Sequence, residues 1–289
     1  MRSPGVTSLL ALVLAAAASL PQPAKAQGDT LPRYLRDRGP GVPASIFGTY
    51  IAKGQLLIYP FFEYARDHNR EYNPSDFGLP LSQDFRGKLR STAEQVFIGY
   101  GVTDWLAVEF EAAHMHATLE KDPADPVTAA KITESGVGDF EAQLRARVRK
   151  ESEHGPEVFT YADITFPSQK QKVLIGDKDW DLRPGVGVTR GFSWGTVTAK
   201  IGAEYNREES HPILGELALE YLRRLSSSLR LFLAIEGGEA GAPDEFDLIS
   251  GLQWRINERV VVKFDSSLGI QSKSPDWVPQ LGLMFSFQH

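Results

Sequence analysis

The chain has 289 residues, with 31 basic and 37 acidic side chains, no cysteine and a formal charge of −6 at pH 7. The lack of cysteine excludes a disulfide framework, a cysteine-ligated metal and a cysteine nucleophile. The acidic balance argues against nucleic acid as a partner.

The N-terminus has the pattern of an export signal. Arg2 supplies the positive start, residues 8–20 are almost wholly apolar, and residues 24–26 offer small side chains for cleavage. We therefore predict a signal peptide at 1–26 and a mature chain with 29 basic and 37 acidic residues, a charge of −8. The alternative, an uncleaved membrane anchor, requires about 20 apolar residues, more than this run contains.

From Gly54 onward, apolar and polar residues alternate in about 12 segments that are separated by turn residues, which is typical of β-strands. In the segment 105–113, Leu106 and Phe110 fall on one face, whereas Glu109 and Glu111 fall on the other. The predicted strands are 55–64, 93–101, 105–113, 140–149, 157–166, 182–189, 196–205, 216–221, 229–236, 246–255, 260–268 and 280–287. Pro60 and Pro184 weaken two of them, because proline donates no ladder hydrogen bond.

The predicted connections alternate between short and long. The short links are 102–104, 151–156, 191–193, 225–228 and 256–258. The long links are 66–90, 118–137, 168–181, 206–213, 237–245 and 271–276. Outer-membrane barrels have short turns at the periplasmic end and long loops outside, so an even number of strands places both termini in the periplasm.

These patterns predict an all-β fold: a transmembrane, antiparallel, up-and-down β-barrel of about 12 strands over residues 53–289, in the outer membrane of a Gram-negative-type bacterium. Residues 27–52, rich in proline and glycine, form a periplasmic or lumenal segment. A soluble β-sandwich or lipocalin-like barrel would also alternate, but a 12-stranded ring is too wide for these apolar side chains to fill. Aromatic residues near strand ends fit interfacial girdles: Tyr59, Tyr100, Trp105, Trp194, Tyr221, Trp254 and Trp277.

If the apolar face meets lipid, charged residues of both signs line the lumen. The predicted lining residues are Glu109, Glu111, Glu141, Arg145, Arg147, Arg149, Asp163, Lys200, Glu204, Glu216, Glu220, Arg230, Glu236, Asp247, Arg255, Lys263 and Asp265. Such charges must face water or pair with one another. Two interpretations stay open: a hydrated pore, or an ion-pair network that closes the lumen. Alternate spacing predicts that Arg145, Arg147 and Arg149 stack along one wall, where they attract anions or are neutralised by acidic rows.

Three short motifs carry a family resemblance. They are residues 99–106 (GYGVTDWL), residues 136–139 (GVGD) at the start of a strand, and residues 165–167 (TFP) at the end of the next. In this layout, which runs over most of the mature chain, the sequence resembles the outer-membrane family labelled "MetA-pathway of phenol degradation". The resemblance implies an outer-membrane transporter for a small-molecule solute, such as an aromatic or other small hydrophobic compound, without catalytic residues or a cofactor.

Other functions stay open beside passive transport. One is a closed structural or adhesive barrel, and another is an outer-membrane lipid hydrolase with His114 or His116 as its base. No Gly-x-Ser-x-Gly or His-Glu-x-x-His motif supports an enzyme. The expected partners are outer-membrane lipids and the barrel assembly machinery, because residues 281–287 resemble the terminal signal that this machinery binds. In that signal the aromatic residue is usually last, whereas here Gln288 and His289 follow.

Overall fold

The structure is a computed structural model that describes residues 31–177, 179–206, 212–239, 242–271 and 274–288. The predicted signal peptide lies outside the described residues. Short strands β1 (Val42–Pro43) and β2 (Tyr50–Ile51) precede twelve long ones. These are β3 (Gln55–Tyr72), β4 (Phe85–Gly101), β5 (Leu106–Glu120), β6 (Lys131–Arg149), β7 (Glu157–Phe166), β8 (Asp181–Phe192), β9 (Gly195–Asn206), β10 (Ile213–Arg224), β11 (Leu229–Glu239), β12 (Ala242–Arg255), β13 (Val260–Gly269) and β14 (Val278–Gln288).

The twelve long strands close into one antiparallel barrel in chain order. β14 pairs with β3, so Phe287 lies opposite Leu56 and no sheet edge stays open. The predicted 12-stranded up-and-down barrel is confirmed. Within the described ranges, no helix is long and apolar enough to cross a membrane.

Alternation along the strands turns apolar side chains outward. On β10, Leu217 and Leu219 are 41% and 52% exposed, whereas the alternate residues Ala218 and Glu220 are buried. The same alternation holds on β11, where Leu233 faces outward and its neighbours face the lumen. A monomeric soluble protein rarely exposes so continuous an apolar surface, and a lipid-facing wall requires one.

The connections divide the barrel into two ends. Short turns at 102–105, 193–194, 225–228 and 256–259, with the slightly longer 150–156, lie at one end, which we call the turn end. The other end, the loop end, carries the longer connections 73–84, 121–130, 167–180 and 270–277. The predicted alternation of short and long connections is therefore present. The predicted loop 237–245 is wrong, because β11 continues to Glu239 and β12 starts at Ala242.

Strands β3 to β6 are longer than the sequence pattern predicts. Residues expected in the loops 66–90 and 118–137 continue the ladder, with Arg66 opposite Arg90 and Thr118 opposite Thr133. Outward positions are polar there, so apolar alternation is lost although backbone pairing continues. Hydrophobic periodicity therefore marked only the apolar part of each strand.

Both prolines that were expected to weaken strands lie inside them. The pairing of β14 with β3 lapses at Tyr59 and Pro60, and that of β9 with β8 lapses at Arg183 and Pro184. The missing amide donor explains each interruption. The barrel tolerates these lapses because each proline keeps its partner on the other side, Val96 or Ala162.

We expect Leu219→Arg, at the middle of β10, to destabilise the barrel by about 2–4 kcal/mol, the cost of a cation at the lipid-facing midplane. Leu225→Arg is the control, because Leu225 is equally exposed, at 53%, but lies in a turn. Urea unfolding in lipid vesicles measures both. Equal effects of the two substitutions would contradict a lipid-facing wall at Leu219.

Candidate functional site in the lumen

The inner wall of the barrel carries most of the charged residues that the sequence assigns to it. Those that are buried are Glu109, Arg145, Arg147, Glu204, Glu220, Lys263 and Asp265. Those that are half-buried at inward positions are Glu111, Glu141, Asp163, Lys200, Glu216, Arg230, Glu236, Asp247 and Arg255. Oppositely charged groups are interleaved: Arg145 Nε lies 3.7 Å from Glu109 Oε1, and Lys200 pairs with Glu216.

Arg149 departs from the predicted row of three arginines. The register of β6 against β7 shifts between Arg147 and Arg149, which places Arg149 opposite the outward-facing Val158. Its side chain is exposed at the turn end. Strict alternation is broken by this β-bulge, so two guanidinium groups share the lumenal wall, not three.

Residues 31–52, which we call the lumenal segment, lie inside the barrel at its turn end. Hydrogen bonds and ion pairs connect the segment with β5, β6, β7, β9, β10 and β12. Its backbone at Tyr34 also lies against Gly191 of β8. A cavity of about 20 Å³ is left beside Phe47, between the segment and the wall. A space of this size holds about one water molecule, so the segment packs closely against the wall beside Phe47.

Arg38 is the charged anchor of the lumenal segment. Its guanidinium lies 2.7 Å from Glu151 Oε2 and 3.2 Å from Glu157 Oε2, and the side chains of Arg38 and Glu151 are fully buried. Arg147 Nε lies 2.8 Å from the same Glu157 oxygen. The Tyr50 ring stacks under the Arg38 guanidinium at 5.1 Å. Burial raises the pKa of the Tyr50 phenol, which stays neutral.

Backbone groups of the segment are also satisfied by the wall. Ser45 N donates to Glu109 Oε2 at 2.8 Å, and Gly48 N donates to Glu220 Oε2 at 2.9 Å. Gln253 donates to the Phe47 carbonyl at 3.2 Å. The carboxylates that the sequence predicts as pore lining thus act as acceptors for irregular backbone, which has no strand partner of its own.

An apolar contact fixes the opposite side of the segment. Val42, Ala44 and Ile51 pack with Tyr59 and Phe97 in one buried cluster. Their burial removes apolar area from water, at about 25 cal/mol per Å². The segment therefore has a charged face toward β6 to β10 and an apolar face toward β3 and β4.

Two glycines of the barrel wall allow the backbone of the lumenal segment to approach closely. A Cβ at Gly101 would stand 2.0 Å from the Ala52 carbonyl oxygen, and one at Gly191 would stand 1.9 Å from the Tyr34 carbonyl oxygen. No side chain fits either position. Gly101 belongs to the motif at 99–106, where the sequence explains it only as a turn residue. In the structure, glycine is required there because the backbone of the segment approaches so closely.

Toward the loop end, two carboxylates lie side by side on the inner wall, and one of them is accessible to water. Glu111 lies opposite Glu141 across β5 and β6. Arg183 lies 3.6 Å from Glu141, whose side chain is 44% exposed. Two carboxylates side by side are tolerated because water and one arginine screen them.

Sequence reasoning missed Arg38, Glu151 and Glu157 as one cluster, because Arg38 and Glu151 lie outside the alternating segments. It also missed the inward-facing aromatic rings, and its assignment of Tyr59 to the interfacial girdle is wrong, because Tyr59 faces the lumen and is buried. The inward-facing rings include Tyr59, Phe61, Phe97, Phe159, Tyr161 and Phe232, all buried. Strands β3, β4 and β7 are apolar on both faces, which is why their alternation was irregular, and that irregularity was the available signal.

His114 and His116 lie on the outer wall and are exposed. His116 is the cross-strand partner of Ser135, but no hydrogen bond joins their side chains among the described residues. A hydrolase needs a base in hydrogen-bond contact with its nucleophile, so this geometry gives no support to an enzyme. No group of three metal-ligating side chains is found in the described ranges either.

Solved structures share this architecture at low sequence identity. The COG4313 outer membrane channel from Pseudomonas putida F1 has a TM-score of 0.60 at 12% identity, over 82% of this chain and 97% of that chain. The translocator domain of autotransporter NalP from Neisseria meningitidis has a TM-score of 0.52 at 12% identity, over 82% and 89%. The KdgM porin in complex with disordered oligogalacturonate has a TM-score of 0.50 at 9% identity, over 80% and 99%.

These structures and the barrel's lipid-facing wall define the class: an outer-membrane β-barrel of the bacterial type. At such identities the likeness concerns the fold. No protein-family model and no curated protein matches the chain. The label "MetA-pathway of phenol degradation" therefore stays a prediction. Short turns face the periplasm in such barrels. In that orientation, which stays a prediction, the lumenal segment would lie in the periplasmic half.

We expect Arg38→Met to weaken docking of the lumenal segment by about 1.5–3 kcal/mol, because it removes charge-assisted hydrogen bonds to two buried carboxylates that keep only Arg147 and Arg190 as partners. Limited proteolysis with thermolysin measures this as faster cleavage within 31–52. The control is Arg86→Met, since the Arg86–Glu71 pair is 40% and 33% exposed and contributes about 0–1 kcal/mol. Unchanged cleavage in Arg38→Met would show that the cluster does not hold the segment.

Proposed function

We propose that the protein is an outer-membrane channel for small solutes, and that solutes pass when the lumenal segment is displaced. The observation that carries this proposal is the charged wall behind the segment. A barrel that is permanently filled is stabilised at least as well by apolar packing as by buried ion pairs. A wall that must also face water needs the charges that are present here.

The attachment of the segment supports displacement. Gly54, at φ +71°, forms the turn between β2 and β3, and its amide donates to the Gly101 carbonyl at 2.7 Å. Rotation about this turn moves residues 31–52 toward the periplasm without breaking a barrel strand. Arg38, Arg147, Glu151 and Glu157 would then meet water, where each charge is stable without its partner.

The solute class we propose is small aromatic or hydrophobic compounds. Inward aromatic rings support it: Tyr59 and Phe61 stack at a centroid distance of 4.7 Å, and Arg145 lies over Phe159 and Tyr161 at about 5 Å. Ring faces of this kind pack against planar solutes. The family resemblance in the sequence and the similar structures described as a channel and a porin also support a transport role.

A closed structural barrel is the second candidate, and a specific observation favours it. The contacts of the segment extend around most of the periplasmic half, which blocks permeation in the state described. The two candidates differ in whether release of the segment produces a conducting lumen.

Planar-bilayer conductance tests the proposal. The full mature chain carrying Ser45→Cys and Gln143→Cys can be bridged by a bifunctional thiol reagent, because the replaced side chains lie 2.7 Å apart and the chain has no other cysteine. We expect no conductance while bridged and conductance after the bridge is cleaved. The double variant Gly101→Val, Gly191→Val, which expels the segment by steric overlap, is expected to conduct constantly.

Liposome uptake of phenol against glucose tests the solute class. We expect the double glycine variant to admit phenol faster relative to glucose than a general porin does. Absence of both conductance and uptake in every variant, with heat-modifiable migration on gels retained, would establish the closed structural barrel instead.

We infer as well that residues 1–26 direct export and that β14 presents the assembly signal. β14 supports this because it closes the barrel on β3 and ends with Phe285 and Phe287 near the terminus.

A further inference from the structure

The outer wall of β3 to β6 changes from apolar to polar in successive cross-strand rows toward the loop end. One row is wholly apolar and runs from Pro60 through Val96 and Ala112 to Phe140. The next toward the loop end contains Phe62, Glu94, His114 and Val137. Beyond it, outward positions are polar or basic. The lipid-facing band therefore ends at a defined level on these strands.

Just above that level lies a shallow groove of about 210 Å³ on the outer wall. We call it the outer basic groove. Its lining side chains are Tyr64, Lys88, Arg90, Thr92, His116, Thr118, Glu120 and Lys131. Arg66 adjoins it as the cross-strand partner of Arg90. The groove thus offers cationic and hydroxyl donors on a face of the barrel that the lumen does not use.

Cations outnumber carboxylates in the groove, although Glu120 lines it and Asp276 interacts with Arg66. Arg66 and Arg90 are exposed like charges directly opposite each other, an arrangement that is destabilising without a counter-ion. Within the described ranges, no carboxylate oxygen lies within 4.0 Å of the cationic groups of Lys88, Arg90 or Lys131. Glu120, opposite both lysines in the ladder, is the nearest acidic position.

The level of the groove points to its ligand. Trp277, 45% exposed, packs edge-to-face against Tyr64 at 6.4 Å, and its backbone bridges to Arg66. Exposed tryptophan and tyrosine on barrels mark the boundary between hydrocarbon and headgroups. Because the loop end faces outward, the groove lies among the headgroups of the outer leaflet.

We propose that the outer basic groove binds the phosphate groups of a phosphorylated glycolipid of the outer leaflet. Arg90 and Arg66 supply planar donors that suit phosphate oxygens, Lys88 and Lys131 supply point charges, and Thr92 and Thr118 supply hydroxyl donors. The acyl chains of the lipid then lie along the apolar rows below. Continuity of the groove with the lipid-facing band favours a lipid over a soluble anion.

Binding of lipid A that carries two phosphates tests the proposal, measured by native mass spectrometry of the full mature chain in detergent micelles. The groove variant is Lys88→Gln, Arg90→Gln, Lys131→Gln. The control, Lys53→Gln, Lys150→Gln, Arg259→Gln, removes the same charge from exposed positions at the periplasmic end. We expect at least about tenfold weaker binding by the groove variant, because several charge-assisted contacts are lost, and little change in the control.

Three further measurements separate recognition of the lipid phosphates from misfolding and from binding of a simple anion. Dephosphorylated lipid A is expected to bind the native chain as weakly as the groove variant binds the phosphorylated lipid. The charge-preserving variant Lys88→Arg, Lys131→Arg is expected to bind normally, which separates charge from misfolding. Excess inorganic phosphate is expected to leave lipid binding intact.

Equal binding by the groove and control variants would overturn the proposal. So would displacement of the lipid by inorganic phosphate, because the groove would then be a simple anion site. Neither outcome bears on the channel, since none of these substitutions touches the lumenal segment.

Discussion

Every backbone N–H and C=O group that lies in lipid must find a hydrogen-bond partner within the protein, and the rest of the structure depends on this constraint. Hydrocarbon offers no hydrogen-bond partners, so a strand can cross it only when both of its neighbours are paired, which requires a closed ring. Closure of β14 on β3 meets this requirement. It also divides every strand into a face for lipid and a face for the lumen, and twelve strands enclose more space than their own side chains fill.

The lumenal segment occupies part of the space that the twelve strands enclose. Inward charges are unstable unless they are hydrated or paired, and the structure uses both solutions at different levels. In the periplasmic half, Arg38 joins Glu151 and Glu157, and wall carboxylates accept the backbone amides of Ser45 and Gly48. In the outer half, Glu111 and Glu141 keep access to water. Paired charges in one half and hydrated charges in the other are consistent with the proposed displacement of the lumenal segment.

Much of the fold could be predicted from the sequence, because lipid on one side enforces alternation. Leu106 and Phe110 were assigned to the apolar face for that reason, and Phe110 is exposed on the outer wall. The end of β3 at Tyr72 and the start of β4 at Phe85 were not predicted, because polar positions beyond the membrane give no periodic signal in the sequence. In the Arg38 cluster, Arg38 lies 113 positions before Glu151 and 119 positions before Glu157 in the sequence. Arg38 lies in a non-repetitive segment, Glu151 in a turn and Glu157 at the start of β7, so their pairing depends on tertiary structure alone. Arg149 was misplaced because a bulge reverses side-chain direction.

One contrast is central to the structure: residues 31–52 cover the inner wall at the turn end, whereas Glu141 toward the loop end stays accessible to water. Thiol accessibility tests it most directly, since the native chain has no cysteine. In vesicles treated with a membrane-impermeant maleimide, Thr198→Cys, which the segment covers through Tyr50, is predicted to react much more slowly than an uncovered lumenal position, because it is exposed only while the segment is displaced. Glu141→Cys is predicted to react from the loop side. Equal labelling of Thr198→Cys and Glu141→Cys would contradict the account.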